Sequence, residues 1–390
     1  MKNKISEYID GIGSELVAMS DFIFDNPEVG NKEFKACELL CTALQKQGFV
    51  VEKGVGGLET AFRAVYENGT GGPSIGILVE YDALAQQGHA CGHHMQGPVG
   101  YGAAVAIKEL LKEQAYKLVI YGTPAEETTS GKLAMIANGC FKDIDVALMT
   151  HGNPGTGIDV KSMAAIKYTV TFKGKAAHAA LRPEQGRSAL DALLLSFQGV
   201  EFLREHVPED TRMHYTVLDA GGPANSVSPK AVGSFYVRSY NTIKLQAVAE
   251  RFEKVLKGAA MMTETTVEIN RDKELKGKIP CYVLNDLAMS NAAYFGLTNL
   301  QPPREKTGST DFGAVMFDIP GTCLRVDFVA VGTSAHSQEY LDAGKGVVAA
   351  RAVQHGAKAI AGMCFDIITE PHLLAEIQAD FRKNKEQMAI

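Results

Sequence analysis

Residues 89–94 read H-A-C-G-H-H, which sets a thiol and an imidazole two residues apart at Cys91 and His93, with Gly92 between them. Thiolate and imidazole are ligands for a borderline divalent ion, and the glycine lets the backbone turn tightly enough for both to face one centre. An isolated C-x-H also reads as a buried cysteine beside a helix-capping histidine, but three histidines within six residues point to metal. Glu126 and Glu127 are adjacent after Pro124. In an extended segment neighbours point opposite ways, so one carboxylate can hold metal while the other faces an attacking water. Taken alone, such a pair is a solvated helix start; its position is what lends it weight. His151 follows Thr150, and His336 ends the loop G-T-S-A-H. Each by itself is an ordinary surface or core histidine. With Cys91, His93 and Glu127 they make a set of metal-type ligands larger than one tetrahedral ion needs. It suits two divalent ions roughly 3.5–4 Å apart. That is the chemistry of a water activated for hydrolysis.

These residues need elements that aim them at one place. Apolar runs at 74–79, 117–121, 145–149 and 324–330 are followed by Glu80 to Asp82, by the Glu126–Glu127 pair, by His151 and by His336. Such runs, separated by helical stretches at 100–112 and 131–138, predict buried strands of a mostly parallel sheet. The site of such a sheet forms beyond the carboxyl ends of its strands. From about 166 to 270 the pattern changes to a half-exposed alternating strand at 167–172, a helix at 188–203, strands at 213–218 and 233–238, a helix at 245–259 and a strand at 265–269. That β-α-β-β-α-β order is the ferredoxin-like signature. The expected fold is α/β: a catalytic domain over 1–163 and 273–390, with an inserted lid over 164–272.

The 390 residues suit two domains, and 46% hydrophobic with 22% charged residues is ordinary for a soluble enzyme. A net charge of -6, with Lys and Arg scattered among acids, gives no footprint for nucleic acid. Seven widely spread cysteines argue against a disulfide framework. Residues 5–24 read as a polar amphipathic helix without a signal core, and no run is long enough for a membrane span. A cytoplasmic enzyme is expected. The glycines at 11 and 13 lie in a polar helix rather than after a strand, so they form no dinucleotide loop.

Several motifs, in order along nearly the whole chain, resemble metallopeptidase family twenty of the MH clan. They are E-Y-D-A-L (80–84), G-H-A-C-G-H (88–93), P-A-E-E (124–127), T-H-G (150–152), G-K-A-A-H-A-A (174–180), G-R-S-A-L-D-A (186–192), N-S-V-S-P (225–229) and G-S-T-D-F-G (308–313). The likeness is to the amidohydrolase branch, with hippurate and auxin-conjugate hydrolases, and most of all to its aminobenzoyl-glutamate hydrolase and Xaa-Arg dipeptidase group. The resemblance implies a zinc-peptidase-like catalytic domain and a lid that pairs in a homodimer. It implies Cys91, His93, Glu127, His151 and His336 as metal ligands and Glu126 as general base, then acid. Asp82 would orient a ligand, and Glu80 stands where other branches carry a ligand histidine. His178 would reach into the partner's site, while Asn225 and Arg238 would hold substrate oxygen or carboxylate. From the residues alone, a strand-surface ion pair is the competing account of Arg238. Two departures stand out: Ala85 where many relatives have proline, and His94 where many have Asp or Asn.

The implied reaction is hydrolysis of the amide bond of an N-acyl amino acid, an aminobenzoyl-glutamate-like conjugate or a dipeptide bearing a carboxylate. Two divalent ions per chain are implied, with zinc favoured by Cys91 and manganese or cobalt left open. Two other readings use the same residues. In one, Cys91 is itself a nucleophile with His93 or His151 as base. In the other, a dimeric binding protein has kept the fold without turnover.

Overall fold

Strands built of contiguous Val, Ile and Leu form where both faces of a sheet are covered, and four such strands organise the first part of this protein. The structure, a computed structural model, describes residues 1–388. It divides into two units, one of Met1–Lys161, Lys278–Thr307 and Ala314–Gln387, the other chiefly of Ser162–Gly277 with Gly308–Gly313.

Helices α1 (Lys2–Gly11), α2 (Gly13–Asp25) and α3 (Phe34–Lys46) open the chain. The single helix expected over 5–24 is therefore two, broken at Ile12 between two glycines that hold helical geometry poorly. There follow β1 (Val50–Lys53), β2 (Phe62–Asn68), β3 (Ser74–Val79), α4 (Gln96–Leu110), β4 (Tyr116–Gly122), α5 (Gly131–Ala137), β5 (Val146–Asn153) and β6 (Gly157–Ile158). The second unit then contributes β7 (Ala164–Lys173), α6 (Ala189–Arg204), β8 (Arg212–Asp219), β9 (Lys230–Ser239), α7 (Thr242–Met262) and β10 (Thr266–Leu275). The chain continues through α8 (Tyr282–Tyr294), α9 (Asp311–Asp318), β11 (Gly321–Asp327), α10 (Gln338–Asp342), α11 (Val347–Thr369) and α12 (Pro371–Met388).

In the first unit the seven-stranded sheet runs β1-β2-β4-β3-β5-β11-β6. Its four central strands β4, β3, β5 and β11 are mutually parallel, and antiparallel strands close both sides. Helix α4 packs on β3, β4 and β5, and α11 packs on β5 and β11. Gly100 makes the first contact close: a Cβ there would come within 2.7 Å of Val79 Cγ1. β11 begins earlier than expected and stops at Asp327, so residues 328–330 belong to the loop that follows it.

In the second unit the four strands pair antiparallel in the order β10-β7-β9-β8. Inward positions of β7 and β9, such as Ile166, Tyr168, Val170, Phe235 and Val237, form one core with Leu193 of α6 and Phe252 of α7. The outward residues of β7 and β9 are more exposed, which is the physical basis of their period of two. No helix is long and apolar enough to cross a membrane among the described residues.

A candidate metal centre at the carboxyl ends of the parallel strands

The parallel strands deliver their polar residues at one edge of the sheet. β3 ends at Val79 and hands over to Glu80 and Asp82; β4 ends at Gly122 before the Glu126–Glu127 turn; β11 leads to the loop holding His336. His151 lies inside β5, two residues before its end, rather than beyond the strand. Gly92 sits in the left-handed region at φ +82, where the turn between Cys91 and His93 requires a glycine.

Ligand-type atoms of Cys91, His93 and Glu127 lie within 4.8 Å of one another, and so do those of Glu80, His93 and His151. His336 joins the first group through Glu127, its Nε2 lying 3.1 Å from Glu127 Oε1. Asp82 braces both groups. Its Oδ1 is 3.0 Å from His93 Nδ1, and its Oδ2 accepts from the Glu127 amide at 3.0 Å. A carboxylate holding the far nitrogen of an imidazole fixes the tautomer and aims the other nitrogen into the site. Thiol, imidazole and carboxylate donors at this spacing fit divalent ions of the zinc class.

Of the histidine cluster that pointed to metal, only His93 belongs to the site. His94 is buried against Phe24 with its Nε2 2.7 Å from the Gly344 carbonyl oxygen, and His89 is buried in the same cluster of rings. The Glu126–Glu127 segment also differs from expectation. It is a turn, not an extended pair, because Ala125 takes φ +63. The buried Glu33 holds that backbone: its Oε1 accepts from Ala125 N at 2.8 Å and its Oε2 from Thr60 Oγ1 at 2.8 Å. Strained backbone of this kind persists where its surroundings over-determine it. Glu127 turns to Cys91 and His336, while Glu126 offers a carboxylate oxygen within 4.8 Å of one from Glu80.

The electrostatics are those of a site with closely compensated charge. Burial alone would raise the Glu80 carboxyl, but Lys132, His93 and His151 hold it well below the carboxylate range. Burial would lower His93, yet Cys91 and Glu80 beside it push it above its ordinary value. His151 is pushed down to about 3 by desolvation and then by Arg325. Burial pushes the Cys91 thiol up.

Two neighbours escaped the sequence reading. Lys132 Nζ lies 2.6 Å from Glu80 Oε1, with both side chains buried, and Gln96 Nε2 donates to Glu80 Oε2 at 2.8 Å. A lone lysine within the apolar run of α5 was the available signal. Removing one partner of a buried pair strands the other charge, so Lys132→Met should destabilise metal-free protein by about 3 kcal/mol. Urea denaturation checks this. Adding Glu80→Gln should restore most of the loss; a loss below about 1 kcal/mol for the single variant would show that the pair is not buried as described.

The remaining expected site residues lie in the second unit. His178 is exposed, bridges Ser226, and has its Nδ1 accepting from the Ala180 amide at 3.3 Å. That bridge also brings in Asn225, whose carbonyl accepts from Ala179 N at 3.1 Å. Arg238 lies on β9 with its guanidinium 4.7 Å from the centre of the Tyr236 ring. It makes no ion pair among the described residues, and its buried Nε has no hydrogen-bond partner.

A parallel α/β sheet presenting a thiol, imidazoles and carboxylates at its carboxyl edge defines a hydrolase of the metal-dependent kind. Residues 78–361 match Peptidase family M20/M25/M40, and the chain belongs to that family. It is 30% identical to a p-aminobenzoyl-glutamate hydrolase subunit of Escherichia coli (strain K12), over 97% of this chain and 94% of that one. It is 31% identical to Xaa-Arg dipeptidase of Homo sapiens, over 98% and 92% of the two chains. The fold is shared with a dinuclear metal-binding peptidase of the M20 family from Bacillus subtilis, at TM-score 0.70 and 18% identity over 91% and 99% of the chains. An aminobenzoyl-glutamate utilization protein from Klebsiella pneumoniae also has TM-score 0.70, at 21% identity over 93% and 98%. Family members are metal-dependent hydrolases of amide or peptide bonds, and this chain is an enzyme of that class.

Proposed function

We propose that the protein hydrolyses the amide bond of an N-acyl amino acid, an aminobenzoyl-glutamate-like conjugate or a dipeptide, with a carboxylate on the amine side. The observation that carries this reading is the convergence of Cys91, His93 and Glu127, with a His151 nitrogen within 4.8 Å of one of His93 and His336 Nε2 3.1 Å from Glu127 Oε1. Cys91, His93, Glu127, His151 and His336 would hold two divalent ions, zinc, manganese or cobalt. When bound, the ions supply Lewis-acid polarisation of the carbonyl and a more acidic water. Glu126 would serve as the base that accepts a proton from the attacking water and then returns it to the leaving amine. Asp82 keeps His93 in its productive tautomer. Asn225 and Arg238 hold the substrate's oxygen and carboxylate, the latter through the planar fork that only arginine offers.

The active unit in this reading is a homodimer through the second unit, with His178 serving the partner's site. Support comes from the outermost strand β8, which exposes Val217 and Leu218, and from α6, which exposes Leu194 and Phe202. An open edge strand beside exposed apolar side chains is a surface that proteins ordinarily cover. The seven free cysteines suit a reducing compartment such as the cytoplasm.

The test is a screen of N-acyl amino acids and dipeptides with metal analysis on the same sample. Hydrolysis should need a substrate carboxylate, stop on chelation and return with divalent metal in proportion to ions bound. Full turnover in demonstrably metal-free protein would instead favour Cys91 as nucleophile. Metal binding without turnover of any substrate in the screen would favour the binding protein.

A further inference from the structure

Beside the candidate metal centre, the first unit holds a cleft of about 350 Å³ lined by Gln301, Arg304, Arg325, Thr333, Ala335 and Tyr340 among others. Its floor is charged in an uneven way. Asp159 is buried and bracketed by two guanidiniums: Arg304 Nε donates to Oδ1 at 2.7 Å, and Arg325 Nε donates to Oδ2 at 3.0 Å. One carboxylate thus neutralises one of two arginines, and no carboxylate is among the residues lining the cleft. Lys278 adds to the same field from behind, its Nζ donating to the Asp159 carbonyl at 2.8 Å. Arg325 is the deeper of the two arginines, whereas the Arg304 side chain is 47% exposed. A structural clamp on Asp159 needs one arginine. The second is surplus positive charge at the mouth of a cleft.

Three residues lining the cleft adjoin the donors or their strand. Arg325 pairs with His151 in the parallel register of β5 and β11. Tyr340 donates its hydroxyl to the Gly152 carbonyl at 2.7 Å, and Ala335 is the residue before His336. A group bound between Arg304 and Thr333 would lie next to whatever is held at the metal-type donors.

We propose that this cleft is an anion subsite that takes a second, acidic arm of the substrate, with Arg304 as the residue that reads it. The proposal rests on the amide-hydrolase reading and narrows it to dicarboxylic substrates. Arg304 takes the carboxylate at the end of the side chain, distinct from the one next to the scissile bond. Arg304 places its Nε and Nη2 on Asp159 Oδ1 at 2.7 and 2.6 Å, so the Nη1–Nη2 end of the planar fork is the one that would pair with a substrate carboxylate, and the Asp159 contact spares it much of the cost of being ordered.

The pair N-benzoyl-glutamate and N-benzoyl-glutamine isolates this contact, since the two differ only at the end of the side chain. The enzyme should prefer the glutamate compound. Arg304→Gln should shrink that preference roughly tenfold or more through KM, the usual scale for a hydrogen bond to a charged group. Arg304→Lys should keep part of it, and Arg304→Glu should reverse it. Glutarate and glutaramide, titrated calorimetrically into metal-loaded wild type and Arg304→Gln, test the site without turnover. Glutarate should bind more tightly than glutaramide, and that difference should shrink in the variant. An unchanged glutamate preference together with unchanged glutarate binding would overturn the anion subsite and leave the hydrolase reading standing. Arg304-dependent glutarate binding in a protein that cleaves no amide would do the reverse.

Discussion

Glu126→Gln is expected to slow hydrolysis by roughly two to four orders of magnitude, the usual contribution of a positioned general base, while leaving bound metal unchanged. The amide is nearly isosteric with the acid, so the turn set by Ala125 and braced by Glu33 should persist. Its neighbour supplies the contrast. Glu127 is one of the close donors with Cys91 and His93 and lies 3.1 Å from His336 Nε2. Glu127→Gln should therefore lower metal content as well as rate. Metal analysis by plasma emission and single-turnover kinetics on both variants separate the roles. Normal turnover by Glu126→Gln, or loss of metal from it, would mean the two carboxylates have been assigned the wrong way round.

The second large effect is a recovery. His178→Ala and Glu126→Gln should each be nearly inactive, and mixing them under conditions of subunit exchange should restore activity. In a mixed dimer one site combines its own Glu126 with a His178 from the partner, and the other has neither. Random exchange between equal amounts makes about half the dimers mixed, each with one working site of two, so activity should rise towards a quarter of wild type when closed two-fold pairing holds. His178 is exposed in its own unit and, among the described residues, its Nδ1 accepts from the nearby Ala180 amide, which turns the other side of the ring outward. No recovery despite exchange demonstrated by labelled subunits would confine His178 to its own chain or remove it from catalysis.

Much of the architecture was legible because it rests on periodicity. Contiguous apolar runs marked β3, β4 and β5 with both faces covered, and the alternation in β7 and β9 marked a sheet with one face packed. Helix ends were less legible. The break at Ile12 falls between Gly11 and Gly13, and the polar pattern, which runs unbroken across them, does not show that the two glycines end one helix and begin another.

The candidate site was legible in its donors and illegible in its supports. Residue type and position at or near strand ends single out Cys91, His93, Glu127, His151 and His336, because few side chains can bind a divalent ion and a parallel sheet gathers its loops at one edge. Which member of a local cluster faces inward is another matter. His89, His93 and His94 are equal as letters, and the left-handed Gly88 and Gly92 with the packing of Phe24 send one to the site and two into the core. Partners far apart in sequence are hidden for the same reason. Lys132 meets Glu80, Glu33 holds Ala125, and Arg304 with Arg325 brackets Asp159 only because the folded chain brings distant segments within hydrogen-bond reach. The sequence by itself determined which chemistry was available and at which strand ends; the tertiary structure decided which of those groups meet, because burial and charge pairing are properties of contacts rather than of residue types.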